Sequence, residues 1–186
     1  MSDEVLDIFE NYTSKDILIS NLTFASFFIA IYESVKCNIC DKVKNFYCIE
    51  TLRIENGKLS SNSTDEYKRD ILDCKPDGKK NNTFFASLLW LKDGGAIDDD
   101  DYDYITHIVK DKRNLYAHNL FEQLDKNISK ADFEILKNFL YISKKINKWW
   151  VINIEGLPED AECVFDVLLN HKVIFDYLFK SSYMPV

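Results

Sequence analysis

The stretch TSKDILISNLTFASFFIAIYESVKCNICDKVKNFY, residues 13–47, contains neither glycine nor proline. Its apolar positions Ile17, Leu18, Leu22, Phe24, Phe28, Ile31, Tyr32 and Val35 recur at spacings that mix threes and fours. That rhythm predicts one long helix with a buried face. The rest of the chain supports the same class. Only 5 Gly and 3 Pro occur in 186 residues, too few breakers for a many-turned β sandwich or barrel. At 46% hydrophobic and 14% aromatic, the chain has ample material for a core and does not read as disordered. Its length suits a single domain spanning residues 1–186.

Downstream of that helix the character changes. Residues 55–82, ENGKLSSNSTDEYKRDILDCKPDGKKNN, are polar and hold two of the glycines and one of the prolines. They read as a surface insertion with one short helix near Asp65 to Cys74. Asn82 or Thr83 then caps the helix TFFASLLWLKD, which Gly94-Gly95 stops. The acidic run Asp98 to Asp101, with Asp103, starts another helix by complementing its dipole, and this one continues through Ile105, Ile108, Val109, Leu115 and Tyr116 to about Phe121. Those acids lack the glycine and closing glutamate of a calcium loop. Ser129-Lys130-Ala131-Asp132 resembles a capping box, Gly156-Leu157-Pro158 ends the helix it opens, and residues 159–180 form a last amphipathic helix. The sum is an all-α bundle of four to five main helices, up-and-down because the later connections are short.

Charge and cysteines narrow the functions. A net charge of −8 argues against a broad surface that tracks a nucleic-acid backbone, though not against a small basic patch. The N-terminus carries no basic region ahead of an apolar stretch, and the run Leu22 to Tyr32 is too short to span a bilayer. A soluble, cytoplasmic protein with no membrane association is expected. Five cysteines are an odd number for a disulfide framework. Cys37 and Cys40 have the inner spacing of a zinc knuckle, but no second ligand pair matches, and both fall within a helical apolar pattern. No metal site and no cofactor is expected.

One segment differs in kind: Lys110-Asp111-Lys112-Arg113-Asn114-Leu115-Tyr116-Ala117-His118-Asn119. Asn114 and His118 are four apart and share a helix face, whereas Arg113 lies about 140° from His118 at 3.6 residues per turn. A bend at Asn119, or a second copy across a two-fold axis, would bring arginine and histidine onto one ligand. Arginine offers a fork of donors to a phosphate, and histidine can move a proton to or from a ribose oxygen near neutral pH. The competing reading pairs the arginine with an acid and buries the histidine in a seam. Between Lys110 and Lys148 nine basic residues face five acidic ones, leaving −12 on the remainder of the chain. A compact RNA site on an acidic protein has this distribution.

At Arg113-Asn114-Leu115-Tyr116-Ala117-His118 the chain resembles the HEPN superfamily. These are small all-α domains of prokaryotic defence and toxin–antitoxin systems and of several eukaryotic ribonucleases. Their motif is Arg, four to six residues, then His, with Asn often directly after Arg. The likeness covers residues 81–121 well and the flanking helices by class. It implies a metal-independent endoribonuclease whose two protomers pack their motif helices together and cut RNA to leave a 2′,3′-cyclic phosphate. By that resemblance Arg113 holds the scissile phosphate, His118 does acid–base work and Asn114 positions them. Lys110, Lys112, Tyr116 and Asn119 would contribute to binding tRNA or mRNA. A homodimer is implied, with an antitoxin or another defence-system protein as a further partner. Some toxins of the family carry a tyrosine two residues after the histidine, which a partner nucleotidyltransferase modifies; here that position is Leu120. A catalytically silent HEPN-like module that binds a protein or a nucleotide is the alternative.

Overall fold

The computed structural model describes residues 15–49, 53–55, 58–60, 62–76, 78, 81–118 and 129–158. The expected helix over 159–180, and Asn119, lie outside these residues. The described chain is mostly helical, as its few breakers and long apolar periodicities dictate.

Helix α1, Lys15–Cys48, is the spine, with 34 residues. At 1.5 Å per residue that is about 50 Å of rod. Phe24, Phe28, Ile31, Val35, Ile39 and Val43 fall on one stripe and are all at most 3% exposed. The residues from Leu18 to Cys48 are long and apolar enough to cross a bilayer by length and composition, which the run Leu22 to Tyr32 alone is not. The stripe itself is packed against the other helices.

Residues 49–82 link α1 to the next long helix in sequence. Strands β1, Arg53–Glu55, and β2, Lys58–Ser60, pair antiparallel. They flank Asn56-Gly57, the dipeptide that most favours a two-residue hairpin link. The expectation of an insertion with only one short helix therefore misses this hairpin. Helix α2, Asp65–Tyr67, is capped by Thr64 and runs on as a π-helical turn, Lys68–Leu72. The segment is not merely a surface feature. Tyr67 and Ile71, one turn apart, are 4% and 0% exposed and join the core. Tyr47 packs its ring 5.8 Å from that of Tyr67 and donates its hydroxyl to Asp70 Oδ2 at 3.1 Å.

Helix α3, Thr83–Asp93, starts where Asn82 accepts a hydrogen bond from the Phe85 amide and stops at Gly94. Gly95 follows in a left-handed conformation, φ 80°, which glycine adopts without cost. Next comes a continuous rod: α4, Asp99–Asp103, a six-residue π-helical turn, Tyr104–Val109, and α5, Lys110–His118. Asp98 caps it by accepting from the Asp101 amide. Helix α6, Lys130–Asn153, opens on the predicted capping box, Ser129 with Asp132.

Ring and polar contacts give the directions of the helices. Phe24 meets Phe133, Tyr32 meets Phe139 and Lys42 meets Asn147, so α6 runs parallel to α1. Tyr32 meets Phe84 and Phe46 meets Trp90, so α3 is parallel to α1 as well. Phe24 and Phe28 meet Tyr116 while Glu33 meets Arg113, so α5 is antiparallel. Alternation thus holds from α3 onward. The expected up-and-down order fails at the first step, because α3 begins with Phe84 beside Tyr32, halfway along α1, and runs parallel to it, as crossover connections allow in helical bundles. Leu88, Leu91, Ile105, Val109, Leu136, Phe139 and Ile146 complete the core against α1.

Candidate functional site

Arg113 and Asn114 of the motif open onto a cleft of about 250 Å³ between α1, the start of α3 and α5. From α1 it is lined by Tyr32, Glu33 and Lys36, from α3 by Asn82 and Phe85, and from α5 by Lys110, Arg113 and Asn114. These elements meet there for ordinary packing reasons. Tyr32 and Phe85 are buried anchors of α1 and α3, and they leave their polar neighbours at the rim.

Arg113 is held from three sides. Its Nη2 donates to Glu33 Oε1 at 2.6 Å, its Nη1 donates to Asn114 Oδ1 at 3.3 Å, and its guanidinium carbon sits 5.7 Å from the centre of the Tyr32 ring. The Lys36 ammonium donates to the other Glu33 oxygen at 3.0 Å. One carboxylate therefore bridges two cations from different helices. Burial alone would raise the Glu33 carboxyl, but the hydrogen bonds from Lys36 and Arg113 outweigh it and hold the group below its usual range. Burial also pushes the Tyr32 phenol up, to about 12, with the Glu33 charge adding to the effect and Arg113 opposing it. Arg113 Nε is buried, and among the described residues it has no hydrogen-bond partner. Lys110 adds a third cation, 6.0 Å from the Phe85 ring centre.

The other motif-region residues lie elsewhere. His118, the last described residue of α5, is exposed and does not line the cleft. A single chain thus gathers Arg113 with Asn114 and leaves His118 apart, as the 140° separation on an ideal helix requires. Tyr116 is buried against Phe24 and Phe28, so its ring is core and not a platform for a base. Lys112 is bound to Asp132 at the head of α6. Burial alone would raise the Asp132 carboxyl; the bonds from Lys112 and Ser129 reverse this and hold it low. Burial, with the Asp132 charge beside it, pushes the Tyr116 phenol up. Lys112, Tyr116 and Asp132 form a clamp that fixes α5 to α6. Cys37 is exposed and Cys40 half-buried, and among the described residues no three His, Cys, Asp or Glu side chains gather as metal ligands.

Glu33, Lys36 and Asn82 were not among the site residues singled out from the sequence, where Asn82 figured as a helix cap. A signal did exist for two of them. Between Ile17 and Cys40 the only charged residues are Glu33 and Lys36, a pair three apart in an otherwise uncharged stretch. Such charges in a core helix need partners, and the partner is Arg113.

No protein-family model matches the chain, and neither does any curated protein or solved structure to which it was compared.

Proposed function

We propose that this protein is a metal-independent endoribonuclease of HEPN type, cytoplasmic, acting as a homodimer in phage defence or a toxin–antitoxin system. The supporting observation is the division of the motif: Arg113 and Asn114 line a cationic cleft, while His118 stands exposed on the same helix, outside that cleft. An exposed histidine standing apart from a cationic cleft on the same helix suits a site completed by a second protomer's α5. In that site the guanidinium holds a phosphodiester oxygen and neutralises charge as it builds on phosphorus. His118 takes the proton from the ribose 2′-hydroxyl, the 2′-oxygen attacks phosphorus, and the 5′-oxygen leaves with a proton from an imidazolium. The product is a 2′,3′-cyclic phosphate. RNA, a second copy of the chain and an antitoxin or other defence-system protein are the partners in this reading.

The salt bridge from Arg113 to Glu33 favours a second reading, a helical module that binds without cutting. The two are separated by incubating wild type, His118→Ala and Arg113→Ala with total RNA and a tRNA pool in EDTA. Cleavage by wild type alone, leaving cyclic-phosphate ends, is the expected result, with both variants folded and dimeric. An inert, folded, dimeric wild type would transfer the assignment to the binding module.

A further inference from the structure

The cleft holds more positive charge than a structural salt bridge needs. Its lining holds three cations, Lys36, Lys110 and Arg113, and one carboxylate, Glu33; Lys110 also pairs at 3.4 Å with the exposed Asp111 outside the lining, and the N-terminal turn of the 11-residue helix α3 enters through Asn82 and Phe85. A helix start of that length adds a partial positive charge of its own. The polar side chains are also incompletely used. Arg113 Nε is buried without a partner among the described residues, although a guanidinium normally places Nε and one Nη on the same carboxylate as a fork. Glu33 reaches only Nη2, at 2.6 Å, and spends its second oxygen on Lys36 at 3.0 Å. The carboxylate thus takes two donors and leaves Arg113 Nε unused.

We propose that the cleft is an oxyanion site whose resting occupant is the Glu33 carboxylate, and that a phosphate group of RNA enters by displacing it. A phosphodiester has two free oxygens. One can take the Nε and Nη2 edge of Arg113 while the other meets Lys36 and Lys110. Glu33 then turns outward; its side chain is 34% exposed, so water can receive it without a buried charge being stranded. Glu33 is in this sense a latch: it keeps Arg113 extended into the cleft and charges a toll on every anion that binds. RNA as the source of the phosphate rests on the ribonuclease reading, whereas the oxyanion site rests on the cleft alone.

The test is binding, without turnover. Inorganic phosphate is titrated by calorimetry, and a ten-nucleotide 2′-O-methyl oligouridylate with hydroxyls at both ends is titrated by fluorescence polarisation. The modified ribose cannot be cleaved, so a failure of the ribonuclease reading leaves this result intact. Wild type, Glu33→Gln, Glu33→Ala, Lys36→Gln and Lys110→Gln are compared, each first shown to be folded by its thermal transition. Removing one like charge from a half-exposed cleft should tighten both ligands about fivefold in the Glu33 variants. Each lysine variant should weaken them by a similar factor. Equal or weaker binding by both Glu33 variants overturns the latch and makes Glu33 a positioning partner of Arg113. Absence of phosphate binding in every protein overturns the oxyanion site. Tightened phosphate binding with no oligonucleotide binding overturns RNA as the source and assigns the site to a small phosphorylated molecule.

Discussion

Replacing Asp132 by alanine should loosen the motif helix without touching the cleft. Asp132 is 8% exposed, and its carboxylate serves three neighbours. It accepts from the Ser129 amide at 2.9 Å and the Ser129 hydroxyl at 2.8 Å, closing the capping box. It pairs with Lys112 and hydrogen-bonds the Tyr116 hydroxyl. Loss of the box costs about 1 kcal/mol. A buried Tyr116 hydroxyl left unpaired costs about 1–2 kcal/mol more. Lys112, with 21% of its side chain exposed, can turn to water, so the full penalty of stranding a buried ion does not apply. The total is about 2–3 kcal/mol, equivalent to roughly 4–12 °C in Tm for a chain of this size. The assay is urea and thermal denaturation of both proteins between pH 7 and pH 3. Because the folded carboxyl lies below its ordinary value of 3.8, its contribution is complete above that pH and is lost as pH falls through the lower folded value. The gap between wild type and Asp132→Ala should therefore be widest near neutrality and shrink below pH 4. A gap under about 1 kcal/mol at pH 7, or one that does not change with pH, would refute the clamp.

Leu88→Ala removes a side chain that is 0% exposed at the centre of α3, and should cost about 2–5 kcal/mol in urea denaturation without altering phosphate binding. Gly94→Ala keeps an ordinary backbone, but its new methyl would stand 3.1 Å from Trp149 Cζ2, forcing that ring to shift. All three tryptophans sit in one cluster, with ring centres 6.2–6.3 Å from Trp90 to Trp149 and Trp150. A changed intrinsic emission spectrum with a stability loss of about 1 kcal/mol is expected; an unchanged spectrum would contradict this packing.

Local chemistry was the legible part. Asn82 and Gly94 mark the two ends of α3, and Ser129 with Asp132 marks the start of α6, because caps act within three or four residues of the bonds they satisfy. What escaped was non-local. Parallel packing of α1 and α3 depends on where the crossover delivers the chain, and Asn56-Gly57 was passed over within a polar segment that reads as insertion. Tyr67 and Ile71 are too few to stand out there, yet one turn apart they suffice to dock the segment. Arg113 and Asn114 were visible as a motif, but their neighbours Glu33 and Lys36 stand about 80 positions away, and only the oddity of charge in an apolar helix hints at them. His118 does not come round easily to Arg113 on one straight helix, and it lies outside the cleft that Arg113 lines.

The π-helical turn at Tyr104–Val109 has a consequence for how this rod can vary. Such a turn is an α-helix carrying one surplus residue, which the wider turn absorbs, so that the helix beyond keeps the facing it would have without that residue. The direction in which Arg113 points is therefore set upstream, in a segment that never touches the cleft. Substitutions between Tyr104 and Val109 would leave that bearing alone so long as the turn persists. Straightening the turn with its residue count unchanged would rotate the helix beyond it by about 100° and swing the guanidinium away from Glu33, whereas a single deletion there would restore a regular helix and leave Arg113 facing the cleft. For this protein the motif helix tolerates the loss of one residue in that segment better than the loss of the wide turn.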